Sequence, residues 1–140
     1  MPDCLFCRIA AGEVQAEIVY EDEQSLGFLD HRPLFPGHTL LIPRSHIETL
    51  ADLPRQLLEP YFGAVQLLSR AIPAAMEKPG SFVAVNNVVS QSVPHLHVHV
   101  VPRRPKDGLR GFFWPRSKYD SDQHLAEVGA KVRDAVKRLR

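Results

Sequence analysis

The chain has 140 residues, 44% of them hydrophobic and 24% charged, with a formal net charge of +1 at pH 7. That length and balance suit a single globular domain with a buried core and exclude a disordered or fibrous chain. The near-neutral charge gives no electrostatic footing on nucleic acid or an anionic membrane, and no apolar run approaches the ~18 residues of a membrane helix, so neither partner is expected.

In chain order, Met1-Pro2-Asp3-Cys4 lacks a basic stretch followed by an apolar one. No secretory signal is visible, and a cytoplasmic location is expected. There the two cysteines, Cys4 and Cys7, would stay reduced, and their C-x-x-C spacing points to metal or redox chemistry before a disulfide. Residues 4–11 read as a short helix closed by Gly12. Apolar, β-prone stretches follow at 18–20, 26–29, 39–42, 82–85 and 96–101, with a Pro36-Gly37 turn between the second and third. Between the third and fourth, Leu57, Leu58, Tyr61, Phe62, Val65, Leu68 and Ile72 recur at helical steps. Pro54 suits the first turn of that helix, and Pro60 is placed to bend it. Leu125, Val128, Val132, Val136 and Leu139 form a second apolar stripe with basic residues near its end, and it is expected to pack into the core. There is no internal repeat or linker, so residues 1–140 are expected to be one domain of α+β class with a mostly antiparallel sheet, its last part (about 105–140) an arm and a helix.

The densest chemical signal is His95-Leu96-His97-Val98-His99-Val100-Val101. In an extended strand, alternate side chains share a face, so the three histidines line one side about 6–7 Å apart while Leu96, Val98 and Val100 line the other. Imidazoles gathered in this way serve as metal ligands, nucleophiles or proton carriers near neutral pH. Asp30 closes the apolar stretch Phe28-Leu29, where a carboxylate can accept bonds from two ribose hydroxyls or simply cap a turn. Gln91 and Ser92 offer an amide and a hydroxyl just before the histidines, as phosphate donors or as turn residues. Cys4, Cys7, His46 and His95 make a two-thiolate, two-imidazole set, the composition of a structural zinc site, but separations of 38 and 48 residues are too long for a zinc finger.

The histidine run resembles the signature of the histidine triad (HIT) superfamily of nucleotide hydrolases and transferases. Cys4-Leu5-Phe6-Cys7, Ala11-Gly12-Glu13, Phe28-Leu29-Asp30, Pro36-Gly37-His38-Thr39-Leu40 and Ile42-Pro43-Arg44-Ser45-His46 stand in that family's order, so the resemblance spans about residues 4–104. It implies the HIT fold, a five-stranded sheet with helices, and a two-fold homodimer. His97 becomes the nucleophile that attacks an α-phosphorus to give a nucleotidyl-histidine intermediate, and His99 a partner of the phosphate oxygens. Gln91, Ser92 and Asn86 (or its neighbour Asn87) face the phosphate. Asp30 grips the ribose, and Phe6, Ile9 and Phe28 wall the base. The metal set resembles the zinc-bearing branch of the superfamily, with His95 a ligand. His38 is read as structural, His31 as lying at the ribose or in solvent, and His124 as a surface residue.

These expectations make the chain an enzyme acting at the α-phosphate of purine nucleotide conjugates, either AMP phosphoramidates or dinucleoside polyphosphates. The alternative is a weakly catalytic or non-catalytic nucleotide-binding regulatory module. A third reading, removal of adenylate from nucleic-acid ends, lacks the basic surface it needs. Two departures stand out. The loop Asn87-Val88-Val89-Ser90 has no glycine where the family has a longer glycine-containing loop, which puts its phosphate contacts in doubt. The stretch 108–116 mixes aromatic and basic residues, fit to cover a nucleotide, reach across a dimer or pack on its own subunit.

Overall fold

In a computed structural model, described over residues 3–109 and 116–139, the chain forms two compact units, Met1–Asp107 and Gly108–Arg140. The first holds helix α1 (Leu5–Ala10), strands β1 (Ile18–Glu21), β2 (Ser25–Leu29) and β3 (Thr39–Pro43), helix α2 (Arg55–Ala75), and strands β4 (Gly80–Val85) and β5 (Val98–Arg103). The strands pair antiparallel throughout, in the order β1-β2-β3-β5-β4. The second unit carries helix α3 (Asp122–Leu139). Among the described residues no helix is long and apolar enough to cross a membrane.

Strand alternation divides the core between the two faces of the sheet. Leu41, Leu96, Val98 and Val100 meet Tyr61, Ala64, Val65, Leu68 and Ile72 of α2. Leu26, Phe28, Leu40 and Ile42 meet Cys4, Phe6 and Ile9 around α1. Each fully buried Leu, Ile or Phe contributes roughly 1.5–3 kcal/mol. Helix α2 runs on through Pro60 and Pro73, and Tyr61, 2% exposed, donates its hydroxyl to the Leu41 carbonyl at 2.7 Å.

Gly12 takes φ +78° just past the end of α1, the left-handed position that ends a helix. Gly37, at φ +98° in the β2–β3 connection, lies where an added Cβ would stand 2.7 Å from Met76 Cγ. Two expectations are corrected. Strand β5 begins at Val98, so only His99 of the three histidines lies within it. His95 and His97 sit on the irregular approach and are buried at 0% and 3% exposure, because their ring nitrogens find partners there. The α3 stripe was expected in the core, yet no residue of α3 is buried: Leu125, Val132, Val136 and Leu139 are exposed. Of the aromatic–basic stretch, residues 110–115 lie outside the described residues.

Candidate functional site

The hydrogen bonds of the histidines fix which nitrogen carries each proton. His97 Nδ1 lies 2.7 Å from the His95 carbonyl. A carbonyl can only accept, so Nδ1 is the donor and Nε2 of a neutral His97 keeps a free lone pair. At His38 the logic reverses. The Leu34 N–H donates to His38 Nδ1 at 3.1 Å, so the proton sits on Nε2, which donates to His99 Nδ1 at 2.9 Å. His99 therefore carries its own proton on Nε2. The β3–β5 register, with Leu40 opposite His99, brings His38 and His99 together.

Burial is the first cause holding His38, His95 and His97 below the ordinary imidazole value. His99 is lowered to about 4, by burial first and then by His97 and His38, against the opposing pull of Asp30. All four rings are accordingly neutral at neutral pH. His97 offers a lone pair and His99 a proton.

His97 and His99 line a cavity of about 650 Å³ with Phe6, Ile9, Phe28, Asp30 and Ser92. Phe6 stands edge-on to both Phe28 and His97, with ring centroids 5.4 and 5.0 Å apart. Asp30 Oδ1 accepts the Arg32 N–H at 2.9 Å, while Oδ2 lies 3.8 Å from His38 Nε2. One carboxylate oxygen is thus used to hold the turn, and the residue still faces the cavity. Leu5, Val14, Gln15 and Leu40 join the lining, and so does His31. Val14 and Gln15 carry no periodic signal, because they lie in the irregular segment between α1 and β1.

Asn86 and Gln91 are not brought to this cavity. The Gln91 amide donates to the Glu48 carbonyl at 2.6 Å, and its oxygen accepts the Val88 N–H at 2.9 Å. Asn87 Oδ1 accepts the Leu50 N–H at 2.8 Å. Both side chains clamp the glycine-free loop to residues 48–50. In that loop Val88 and Ser90 take φ +69° and +62°, the conformation for which glycine is the usual choice.

The second constellation assembles as the resemblance implied. The ligand atoms of Cys4, Cys7, His46 and His95 all lie within 4.8 Å of one another and could hold a metal ion. A tetrahedron with M–S near 2.3 Å and M–N near 2.0–2.1 Å has S···N edges of about 3.6 Å. The observed edges are 3.4 Å (Cys4–His95), 3.3 Å (Cys7–His46) and 3.6 Å (Cys7–His95). His95 donates from Nε2 to the Pro43 carbonyl at 2.8 Å, which turns its Nδ1 lone pair toward the sulfurs. Burial, then the neighbouring Cys4, holds the Cys7 thiol above its ordinary value, so metal binding would displace a proton.

Asp30, His38 and His99 make another cluster of possible metal ligands. The Leu34 N–H argues against that use. It holds the His38 proton on Nε2, the atom that would have to bind the metal.

A model of the HIT domain family matches residues 11–106. Protein hit of Bacillus subtilis is 41% identical over 98% of this chain and 94% of its own length. Adenylylsulfatase HINT3 of Arabidopsis thaliana is 38% identical over 76% of this chain and 55% of its own. Adenosine 5′-monophosphoramidase HNT1 of Candida albicans is 28% identical over 97% and 93%. Among solved structures, a HIT family protein of Bacillus subtilis superposes with a TM-score of 0.85 at 36% identity, covering 94% of this chain and 96% of that one. A zinc-bound histidine triad family protein of Mycobacterium smegmatis superposes with a TM-score of 0.73 at 35% identity, covering 96% and 98%.

Proposed function

The chain belongs to the HIT domain family, and from that premise we propose that it releases AMP from purine nucleotide conjugates through a covalent nucleotidyl-His97 intermediate. The observation that carries this reading is the state of His97: buried, neutral, oriented by the His95 carbonyl, and lining a cavity with its Nε2 lone pair free. Attack forms the Nε2–P bond as the bond to the leaving group breaks. The positive charge that develops on the ring is eased by the Nδ1–H bond to the His95 carbonyl. His99 Nε2–H and the Ser92 hydroxyl are donors to phosphoryl oxygens, where charge stabilisation matters most. Water then breaks the Nε2–P bond and frees AMP. His38, read from sequence as structural, holds the His99 proton where it can be donated. It is a positioning residue.

Asp30 would take the ribose hydroxyls, and Phe6, Ile9 and Phe28 the base. Relatives bearing the names adenylylsulfatase and adenosine 5′-monophosphoramidase support substrates built on AMP. Zinc is the ion proposed for Cys4, Cys7, His46 and His95. It would brace the strand approach that aims His97 and take no part in bond making. The homodimer and cytoplasmic location expected from sequence belong to the same reading. The test is AMP release from an adenosine phosphoramidate and from a dinucleoside polyphosphate, side by side, in wild type and His97→Asn. Release that survives the substitution removes the mechanism. Tight AMP binding with no release from either substrate would favour the regulatory-module reading.

A further inference from the structure

The carboxylate of Asp30 reaches the histidines as well as the cavity. Its Oδ2 lies 3.8 Å from His38 Nε2. One oxygen of Asp30 and one ring nitrogen each of His38 and His99 all lie within 4.8 Å of one another. The His99 ring in turn stands edge-on to that of His97, with centroids 4.9 Å apart. Backbone pairing fixes the placement, since the Asp30 N–H donates to the His38 carbonyl at 2.9 Å and Leu40 lies opposite His99. The Asp30 side chain is 20% exposed. Among the described residues, no lysine or arginine lines the cavity to neutralise it, and the other carboxylate of the lining, Glu17, is exposed to water.

Attack by His97 moves charge. The Nε2 lone pair becomes the bond to phosphorus, the ring keeps its Nδ1 proton, and His97 turns from neutral to cationic. The electron pair of the broken bond leaves on the face of phosphorus opposite His97, where the departing group takes up a proton from solvent. A fixed negative charge beside the histidines favours the first change. It acts less on the second, because in-line departure carries that charge away from the histidines. The phosphoryl group is anionic before and after the step, so its repulsion by the carboxylate cancels to first order. The His95 carbonyl orients the His97 ring but brings no net charge. Asp30 does bring one, and its pull opposes burial at His38, His97 and His99 alike.

Resting on the reading above, we infer that Asp30 has a second role beside the ribose: its charge stabilises the His97 cation of the covalent intermediate. A unit charge about 8 Å away changes the stability of such a cation roughly 2- to 30-fold for effective dielectric constants of about 80 to 20. The step that forms the adduct creates the cation, and the step that breaks it removes the cation. Asp30 accordingly speeds the first and slows the second.

The test is rapid-quench kinetics on Asp30→Asn, which keeps the size of the side chain and an Oδ1 to accept the Arg32 N–H. Two substrates with the same amine leaving group are used at saturation, an adenosine 5′-phosphoramidate and its 2′,3′-dideoxy analogue, which has no ribose hydroxyl for Asp30 to grip. Formation and breakdown of the nucleotidyl-His97 adduct are read as separate rates. The variant should form the adduct more slowly and break it down faster on both substrates, the two changes together amounting to roughly 2- to 30-fold. A change confined to the substrate with ribose hydroxyls would leave Asp30 as a ribose ligand only and overturn the second role. Unchanged rates, or slowing of both steps alike as a disturbed site would give, also overturn it. No adduct in wild type on either substrate would instead remove the reading on which the inference rests, and the inference with it.

Discussion

Replacing His99 with Asn should flatten the acid dependence of stability. In the folded chain burial, then His97 and His38, hold the His99 ring to about 4. Unfolded, it titrates near 6.5. Between those values the unfolded state binds more protons, so stability rises with pH across the window. The contribution is complete above about 6.5 and is lost as the pH falls toward 4. At pH 5 the full shift corresponds to about 2 kcal/mol, which solvent screening of a half-buried ring reduces to about 1–1.5 kcal/mol. His38 is shifted in the same direction, and losing its Nε2–H acceptor leaves it a buried donor without a partner, so the variant is also less stable at neutral pH by about 1–3 kcal/mol. The assay is urea unfolding near pH 7.5 and near pH 5. Wild type should lose about 1–1.5 kcal/mol more than the variant between the two. An equal loss in both proteins would mean that His99 is not neutral and buried, and would undo the assignment of its proton to Nε2.

Purified protein should carry about one zinc per chain, and Cys4→Ser should lose it together with thermal stability, as elemental analysis and a melting curve would read. Protein free of zinc and indifferent to the substitution would refute the metal set. Ribonucleotides should bind roughly 5- to 150-fold tighter than 2′-deoxy analogues, from the 1–3 kcal/mol of a lost buried bond, and Asp30→Ala should erase most of that preference. Equal titration of AMP and 2′-deoxy-AMP removes Asp30 from the ribose. Gly37→Ala places a Cβ 2.7 Å from Met76 Cγ at φ +98° and should lower unfolding free energy by about 1–3 kcal/mol, with part restored when Met76 is shortened. Val88→Gly, at φ +69°, should do the opposite and raise stability by up to about 1 kcal/mol.

What could be read from the sequence was whatever repeats with a period or matches in chemical type. All five strands and α2 announced themselves through apolar alternation and helical steps, and the candidate metal set of Cys4, Cys7, His46 and His95 through its donor chemistry and the family resemblance. The donor distances then showed that residues up to 91 apart do converge. The strand boundary was misplaced because His95-Leu96-His97 alternates like a strand, while its ring nitrogens bond the Pro43 and His95 carbonyls and the Leu96 N–H bonds the Ile47 carbonyl, outside the ladder that starts at Val98. Gln91 looked like a phosphate donor because an amide before a histidine run suits that role. Only the fold shows its oxygen and nitrogen already bonded to Val88 and Glu48. His38 was underrated for the converse reason. Its partner His99 lies 61 residues away, and only the pairing of β3 with β5 joins them. The α3 stripe has the pattern of a core helix, and periodicity alone cannot say what covers it.

The central claim is the covalent step at Nε2 of His97. It is tested most directly by acid quench of the enzyme within its first turnovers on an adenosine phosphoramidate, followed by peptide mass spectrometry under conditions that preserve phosphorus–nitrogen bonds. The account predicts an adenylyl group on the peptide that contains His97, absent from His97→Asn. Turnover with no adduct on any residue, or an adduct on His99 with His97 unmodified, would contradict it.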